Sequence, residues 1–440
     1  MRKEGFTLIE LMVAMVVGLT AITSAYTLGS SMSRQFYEEQ RTATTQGSSR
    51  AAIMELRRDI SRAALFGTPN AGSEPRCEAT LPTLPQLGGG PLPMGAFQYY
   101  QDYDLGVLDP DGDNVAAGVR ADRLRVLTSL FLTDQLLVDA VSPEGTHIIL
   151  DSGNQAYQRT FAWGQASGPF TGVAPDYLGG TLDWDTAWAG EAASWNGIGQ
   201  KGARAFQTGS VLHIESPAGQ HFFRTDFTKA DNTQNQVRLV VNPALPVSTA
   251  CLPGAGQGSS IAPLQWVEYA LVDPFDAASV GASFMNFDEV FFVDLDASNP
   301  LEDFGDADET ALREFRNVML VRRILDSADG SVKPGSTQVV AEFVSNFEVS
   351  FLVDEKTARN LPPDIAPETD EGTINGAPED VRAVLIDLGI RSPLEDPALP
   401  FAANPTSGTR FEVNPDELGS ARVRHIRIEI PVMSIARKNL

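Results

Sequence analysis

In the N-terminal stretch Met1-Arg-Lys-Glu-Gly-Phe-Thr-Leu-Ile-Glu10, a short charged leader meets an apolar run that extends from Phe6 to Leu28. This run is long enough to cross the hydrocarbon core of a bilayer, because a membrane helix needs roughly 20 mainly apolar residues. Its single charged residue is Glu10, and a carboxylate inside a membrane helix costs about 2.5 to 3.5 kcal/mol on insertion scales. The run therefore predicts a membrane helix in which Glu10 needs a cationic partner.

The distribution of basic residues predicts the orientation of this helix. Arg2 and Lys3 precede the apolar run, and the next basic residue is Arg34. Because basic residues are enriched on the cytoplasmic side of membrane helices, we expect the N-terminus in the cytoplasm and the remaining chain in the periplasm or outside the cell. An ordinary secretory signal has a shorter apolar stretch and a small-residue cleavage site, which this run lacks. From the residues alone, an uncleaved signal anchor is the simplest interpretation.

The hexapeptide Gly5-Phe-Thr-Leu-Ile-Glu10 favours a more specific interpretation. Behind its charged leader, it closely resembles the class III signal of type IV pilins and type II secretion pseudopilins. The resemblance implies that a prepilin peptidase cleaves after Gly5 and methylates the new N-terminal residue, Phe6. It also implies that Glu10 pairs with the N-terminal amine of a neighbouring subunit during filament assembly. Phe6 and Glu10 are four residues apart and share one helical face, and a buried carboxylate is tolerated only when it is paired.

The composition describes a large acidic globular protein. The 440 residues are 42% hydrophobic and carry a formal net charge of -24, so the chain can bury a core in one or two domains. The acidity argues against nucleic acid as a partner, since nucleic acid requires a basic surface. Cys77 and Cys251 both follow the apolar run. An even pair in an oxidising compartment favours a disulfide, and two free buried thiols are the alternative.

The chain divides into a helical N-terminal part and a β-rich remainder. Apolar residues recur at helical spacing after the membrane run, at Ile53, Leu56, Ile60 and Ala64. They predict an amphipathic helix that reaches Phe66 and ends at Gly67-Thr-Pro69. The stretch 42–49 is rich in Thr, Ser and Gly, so a frayed turn is as plausible there as a continuous helix. The predicted parts are a leader at 1–5, a transmembrane or filament-core helix at 6–29, an amphipathic helix at 30–67 and a head at 68–440 with a Trp- and Gly-rich insert at about 151–209.

Beyond Pro69, short β-branched or alternating runs separated by Gly, Pro, Asn and Asp predict strands. The candidate strands are 123–132, 211–216, 236–241, 265–272, 290–294, 317–325, 338–344, 347–353, 381–390 and 425–435. Side chains in 265–272 alternate in part, as expected for a sheet with one covered face. The acidic stretches 354–380 and 392–420 are predicted to be solvated loops. We therefore predict an α+β fold with the long N-terminal helix packed on a large antiparallel β-rich head.

The candidate metal site is the loop that contains Asp109, Asp111 and Asp113, whose alternating carboxylates suit a hard cation such as calcium. The loop departs from the EF-hand pattern, because its glycine, Gly112, comes too early and Arg120 replaces the twelfth-position glutamate. An ordinary Asp- and Gly-rich turn is the simpler interpretation. The four histidines, none of them in a zinc spacing, are His147, His213, His221 and His425. With no nucleophile elbow either, we predict a protein that is not an enzyme and needs no cofactor.

The C-terminal part carries a second, narrower resemblance. Segments 381–392 and 422–439 resemble the closing strands of the PilW-type minor pilins, although Lys438 interrupts the expected terminal Arg-Asn. The resemblance implies a minor pilin of a type IV pilus, first a single-pass inner-membrane protein and then a subunit at the pilus tip. Prepilin peptidase and other minor and major pilins would be its partners. The nearest alternative is a J-type minor pseudopilin of a type II secretion system, and the others are a signal-anchored periplasmic enzyme and a calcium-dependent adhesin.

Overall fold

The fold comes from a computed structural model of the full chain. The residues that the structure describes are 8–73, 83–84, 92–101, 120–129, 135–157, 206, 209–230, 237–246, 255–272, 318–333, 335–354, 364–392, 410–411 and 421–432. Several predictions from the sequence fall outside these ranges. They are the cleavage site at Gly5 and Phe6, the disulfide between Cys77 and Cys251, the loop with Asp109, Asp111 and Asp113, the strand at 290–294 and most of the insert at 151–209.

A single long helix, α1, spans Leu8–Ile60. It is continuous through 42–49, so the frayed turn that the Thr, Ser and Gly content allowed is not present. The predicted end at Phe66 is wrong, because α1 ends six residues earlier. From Ala63 onward the backbone bonds to the head instead: the Ala64 amide donates to the Leu127 carbonyl at 2.8 Å, and Ala64 and Phe66 have positive φ values of 56° and 61°. Tertiary hydrogen bonds thus override the helical periodicity of the last turn.

The rest of the described chain is mainly β-strand. The strands are β1 (Thr83–Leu84), β2 (Leu92–Pro93), β3 (Phe97–Tyr100), β4 (Arg120–Ala121), β5 (Arg123–Thr128), β6 (Leu136–Val141), β7 (His147–Leu150), β8 (Val211–Glu215), β9 (His221–Arg224), β10 (Asp226–Ala230), β11 (Arg238–Asn242), β12 (Ser260–Val272), β13 (Met319–Leu325), β14 (Gln338–Ala341), β15 (Val344–Asp354), β16 (Ile365–Glu368), β17 (Val381–Arg391), β18 (Arg410–Phe411) and β19 (Ala421–Pro431). Two short helices are α2 (Gln155–Tyr157) and α3 (Glu371–Gly376), and a 3-10 turn follows at Pro378–Asp380.

The larger sheet is organised around β12. Its strand order is β10-β11-β7-β6-β12-β13-β14, with β3 and β9 attached through β5 and β8, which both pair with β12. The first half of β12 pairs with β6 and β8, and the second half pairs with β5 and β13. All of these pairings are antiparallel. One long strand therefore joins two groups of strands in a single sheet.

The smaller sheet has the order β16-β15-β17-β19-β18. These pairs are antiparallel, and β4 adds to β15 as a parallel neighbour. The predicted combination of an N-terminal helix and an antiparallel β-rich body is confirmed. The C-terminal strands predicted at 381–390 and 425–435 correspond to β17 and to β19, which begins earlier and ends earlier than expected.

The main core lies where the end of α1 meets both sheets. Leu56 and Ile60 of α1 are fully buried in one cluster with Tyr269 of the larger sheet and Phe347 and Ile386 of the smaller one. Burying one such aliphatic side chain contributes about 1.5 to 3 kcal/mol. The last turns of α1 are therefore part of the folded head.

Two predictions about the strands and loops of the head are corrected. The pattern of 265–272 predicted one covered face, but all of β12 after Ser260 is buried on both faces. The polar residue Glu268 is tolerated there because arginines on the neighbouring strands surround it. The stretch 354–380 was expected to be loop, yet it contains β16 and α3. Asp370 caps α3 by accepting a hydrogen bond from the Thr373 amide at 2.7 Å.

Candidate functional site: the N-terminal helix and its junction with the head

The N-terminal part of α1 presents large apolar side chains to its surroundings. Their exposed fractions lie between 57% and 77%. These residues are Leu8, Ile9, Met12, Val13, Met15, Val16, Val17, Leu19, Ile22, Tyr26, Leu28 and Met32. Soluble monomers rarely expose a continuous apolar surface of this size, so it marks a surface that another apolar phase or partner covers. Glu10 lies in the first turn of this helix.

The polar residues in this segment satisfy their hydroxyl groups within the helix. Thr20, Thr23, Ser24 and Thr27 each donate to a backbone carbonyl three or four residues earlier, at 2.8 to 3.0 Å. Such hydrogen bonds remove the cost of placing a hydroxyl in an apolar environment. The Thr and Ser content of the run is therefore compatible with an apolar surrounding. Within the described residues, however, no helix is found that is both long enough and apolar enough to span a membrane.

The other end of α1 is fixed to the larger sheet by a buried ionic contact. Asp59 is fully buried, its carboxylate lies 2.5 Å from Nε of Arg322 on β13, and it accepts a hydrogen bond from the Tyr269 hydroxyl at 2.9 Å. Glu55, one turn earlier, lies 3.5 Å from the same guanidinium. Burial alone would lower the pKa of Arg322, but the adjacent Asp59 carboxylate outweighs it and the pKa is raised. Burial, together with Asp59, raises the pKa of Tyr269 well above its ordinary value.

The segment 61–67, which we call the exit loop, continues this attachment. The Thr128 hydroxyl donates to the Arg62 carbonyl at 3.0 Å, beside the bond between Ala64 and Leu127. Gly67 packs so closely that a Cβ atom there would lie 2.8 Å from Cδ1 of Leu264, which is fully buried. A left-handed backbone at a non-glycine residue costs energy, so these contacts hold the exit loop in a conformation that it would not adopt alone.

The structure brings together two of the four histidines, none of which lies in a zinc spacing in the sequence. His213 and His221 face each other across the β8–β9 hairpin, with Nε2 of His213 2.9 Å from Nδ1 of His221. Their rings stack with centroids 5.2 Å apart, and Nδ1 of His213 lies 2.8 Å from the Phe66 carbonyl oxygen. Two histidines eight residues apart with Pro217 and Gly219 between them would have indicated a hairpin pair. His147 and His425 lie elsewhere on the surface.

A second buried group of charges lies on the opposite face of the larger sheet. Arg125 donates from Nε to Glu268 at 2.8 Å, while Arg123 and Arg323 lie 3.8 and 4.0 Å from the same carboxylate. Burial would raise the pKa of Glu268, but the surrounding arginines outweigh it and the pKa is lowered. This group could not be predicted from local sequence patterns, because its members belong to three strands. It fills the sheet face that the partial alternation of β12 had suggested to be solvated.

Comparison with known families settles the nature of the N-terminus. Residues 1–26 match the family model of the prokaryotic N-terminal methylation motif. The N-terminus is therefore that of a type IV pilin-like protein. The motif indicates processing by prepilin peptidase, assembly with other pilins and an N-terminal helix anchored in the membrane. No curated protein and no solved structure matches the chain significantly.

Proposed function

We propose that this pilin-like protein is a minor pilin of a type IV pilus, of the PilW kind, that acts in pilus assembly initiation or at the pilus tip. The observation that carries the proposal is the combination of the methylation motif with a bare apolar helix whose last turns are buried in a very large head. Such a helix suits lateral packing with other helices, while the head would be bulky if it repeated along a thin fibre. The tip is therefore the position that accommodates it best.

In this proposal the chain first spans the inner membrane once, with its N-terminus in the cytoplasm and its head in the periplasm. Prepilin peptidase cleaves after Gly5 and methylates Phe6. The Phe6 amine then pairs with Glu10 of an adjacent subunit, which compensates the carboxylate inside the apolar helix bundle. The protein acts through assembly rather than catalysis and requires no cofactor.

The N-terminal peptide of the membrane-extracted protein tests the first step. We expect its mass to be that of a peptide beginning at methylated Phe6. A matched variant, Gly5→Ala, should keep its leader, whereas Gly18→Ala should be processed normally because nothing lies within 4 Å of the added methyl group. A native protein that still begins at Met1, in cells that process other pilins, would refute the proposal.

The phenotype of a deletion strain separates the two filament systems. Loss of piliation or twitching with intact exoprotein secretion supports the minor pilin. Loss of secretion with intact pili would instead identify the J-type minor pseudopilin of a type II secretion system, which has the same signal. The calcium-dependent adhesin predicts a rise in melting temperature with calcium that an Asp109→Ala, Asp111→Ala double variant abolishes.

A further inference from the structure

The buried histidine pair lies where α1 passes into the head. His213 and His221 are only 1% and 5% exposed. His213 bridges the two sides of the junction, since one ring nitrogen lies 2.8 Å from the Phe66 carbonyl of the exit loop and the other lies 2.9 Å from His221. A short chain of hydrogen bonds thus connects the β8–β9 hairpin to the backbone that follows α1.

The hydrogen-bonding roles in this chain follow from the groups present. A carbonyl only accepts, so Nδ1 of His213 carries a proton and donates to Phe66. In neutral His213, Nε2 then accepts from Nδ1–H of His221. When His213 gains a proton, both of its nitrogens donate, and His221 changes tautomer so that its Nδ1 accepts. The pair can therefore hold either no additional proton or one additional proton, and both hydrogen bonds are intact in each state.

A second additional proton is incompatible with this geometry. It would direct two N–H groups at each other across 2.9 Å, and burial disfavours a second positive charge. We propose that His213 and His221 form a pH-sensitive latch, in which double protonation breaks the pair, frees the Phe66 carbonyl and loosens the junction between α1 and the head. The strained backbone at Phe66, with φ of 61°, relaxes when this restraint is lost.

Among the residues that the structure describes, the charged groups near the pair do not remove the clash between the two N–H groups. Glu215 is directly opposite His221 in the strand register. Arg224 of β9 directs its guanidinium to the carbonyls of residues 243 and 244. Arg62 is the charged residue of the exit loop, and the part of β12 that pairs with β8, 260–264, has no titratable side chain. None of these groups can accept the hydrogen that a second proton would add between the rings.

The direction of the pH effect follows from counting protons. In the unfolded chain both histidines titrate near pH 6.5 and together bind two protons in acid. The native pair binds at most one, so as the pH falls below about 6.5 the unfolded state binds a growing excess that approaches one proton. The pH dependence of the unfolding equilibrium constant from this pair alone then approaches about tenfold per pH unit. The stability that the latch contributes is present above that pH and is lost as the pH falls.

Urea unfolding of the full chain in detergent, followed from pH 7.5 to pH 5, tests the latch. In His221→Asn a neutral amide can donate to His213 or accept from it, so native and unfolded states bind equal numbers of protons at this site. We expect the pH dependence of this variant to be shallower than that of the unaltered protein by about tenfold per pH unit. His147→Asn is the matched control, because His147 is exposed, and it should behave like the unaltered protein. Equal pH dependence in all three proteins would overturn the proposal.

Hydrogen exchange on the unaltered protein provides a readout that does not depend on a variant folding. After correction for intrinsic exchange, we expect the amides of Ala64, Leu65 and Gly67 to lose protection between pH 7 and pH 5, while those of β12 keep theirs. Exit-loop protection that remains as high as that of β12 at pH 5 would show that protonation does not open the junction.

Discussion

Asp59→Ala tests the ionic contact that fixes α1 to the head. The substitution removes a fully buried carboxylate and leaves Arg322, 6% exposed, without its nearest negative partner. It also leaves the Tyr269 hydroxyl without the acceptor at 2.9 Å. Breaking a buried ion pair from one side costs about 3 to 5 kcal/mol, chiefly because the remaining charge stays buried and uncompensated. Glu55 at 3.5 Å offsets part of this cost, so we expect a loss near the lower limit, about 3 kcal/mol.

Equilibrium urea denaturation of the full chain in detergent micelles measures this loss. The double variant Asp59→Leu, Arg322→Met removes both charges and should recover most of the stability, since an apolar pair of similar volume has no buried charge to compensate. Arg427→Ala serves as the control, because its side chain is 84% exposed in an ion pair with Asp387, and it should leave the free energy of unfolding unchanged within error. A loss of less than about 1 kcal/mol for Asp59→Ala, the value of an ordinary hydrogen bond, would refute the interpretation of Asp59 as a buried ionic anchor.

Two further substitutions test the packing and the polar contacts of the head by the same denaturation assay. Gly67→Ala should destabilise the protein by about 1 to 3 kcal/mol, because its new methyl group would lie 2.8 Å from Leu264. The control Gly47→Ala places its methyl group in open space on α1 and should be neutral or stabilising. Equal effects of the two substitutions on the free energy of unfolding would contradict the packing argument. Tyr157→Phe removes the acceptor of the Val237 amide at 3.1 Å and should cost about 1 to 3 kcal/mol. Burial raises the pKa of Tyr157 to about 12. The contribution of its hydroxyl to protein stability is therefore present below about pH 10 and is lost as the pH rises towards 12. Over that interval, the free energy of unfolding should fall less in Tyr157→Phe than in the unaltered protein.

The long helix and many strands could be predicted because their signals are local. The apolar run after Phe6 and the spacing of Leu56 and Ile60 specify α1 without knowledge of the rest of the chain. The end of the helix could not be predicted in this way. The apolar spacing continues to Ala64, but the Ala64 amide bonds to Leu127, a residue far away in the sequence.

The partners of the buried charges are even harder to predict from local sequence signals than the end of the helix. Glu268 looks like a solvent-facing residue when β12 is read alone, and only the pairing of β12 with β5 and β13 places Arg125 and Arg323 beside it. The partnership of Asp59 with Arg322 likewise joins residues that are distant in sequence. A pattern within one strand or helix specifies which side chains share a face, whereas the identity of the neighbouring strand decides whether a charge on that face is compensated.

The junction between α1 and the head also determines how a pulling force passes from the helix into the sheet. When a filament subunit is pulled through its N-terminal helix, the tension leaves the helix at Asp59 and the exit loop. It enters the sheet at β13 through Arg322 and at β5 through Leu127 and Thr128. Both strands pair with β12 along their length, so the pull is shared among many ladder hydrogen bonds rather than concentrated on one. Such an arrangement transmits force into β12, which is buried along its whole length after Ser260.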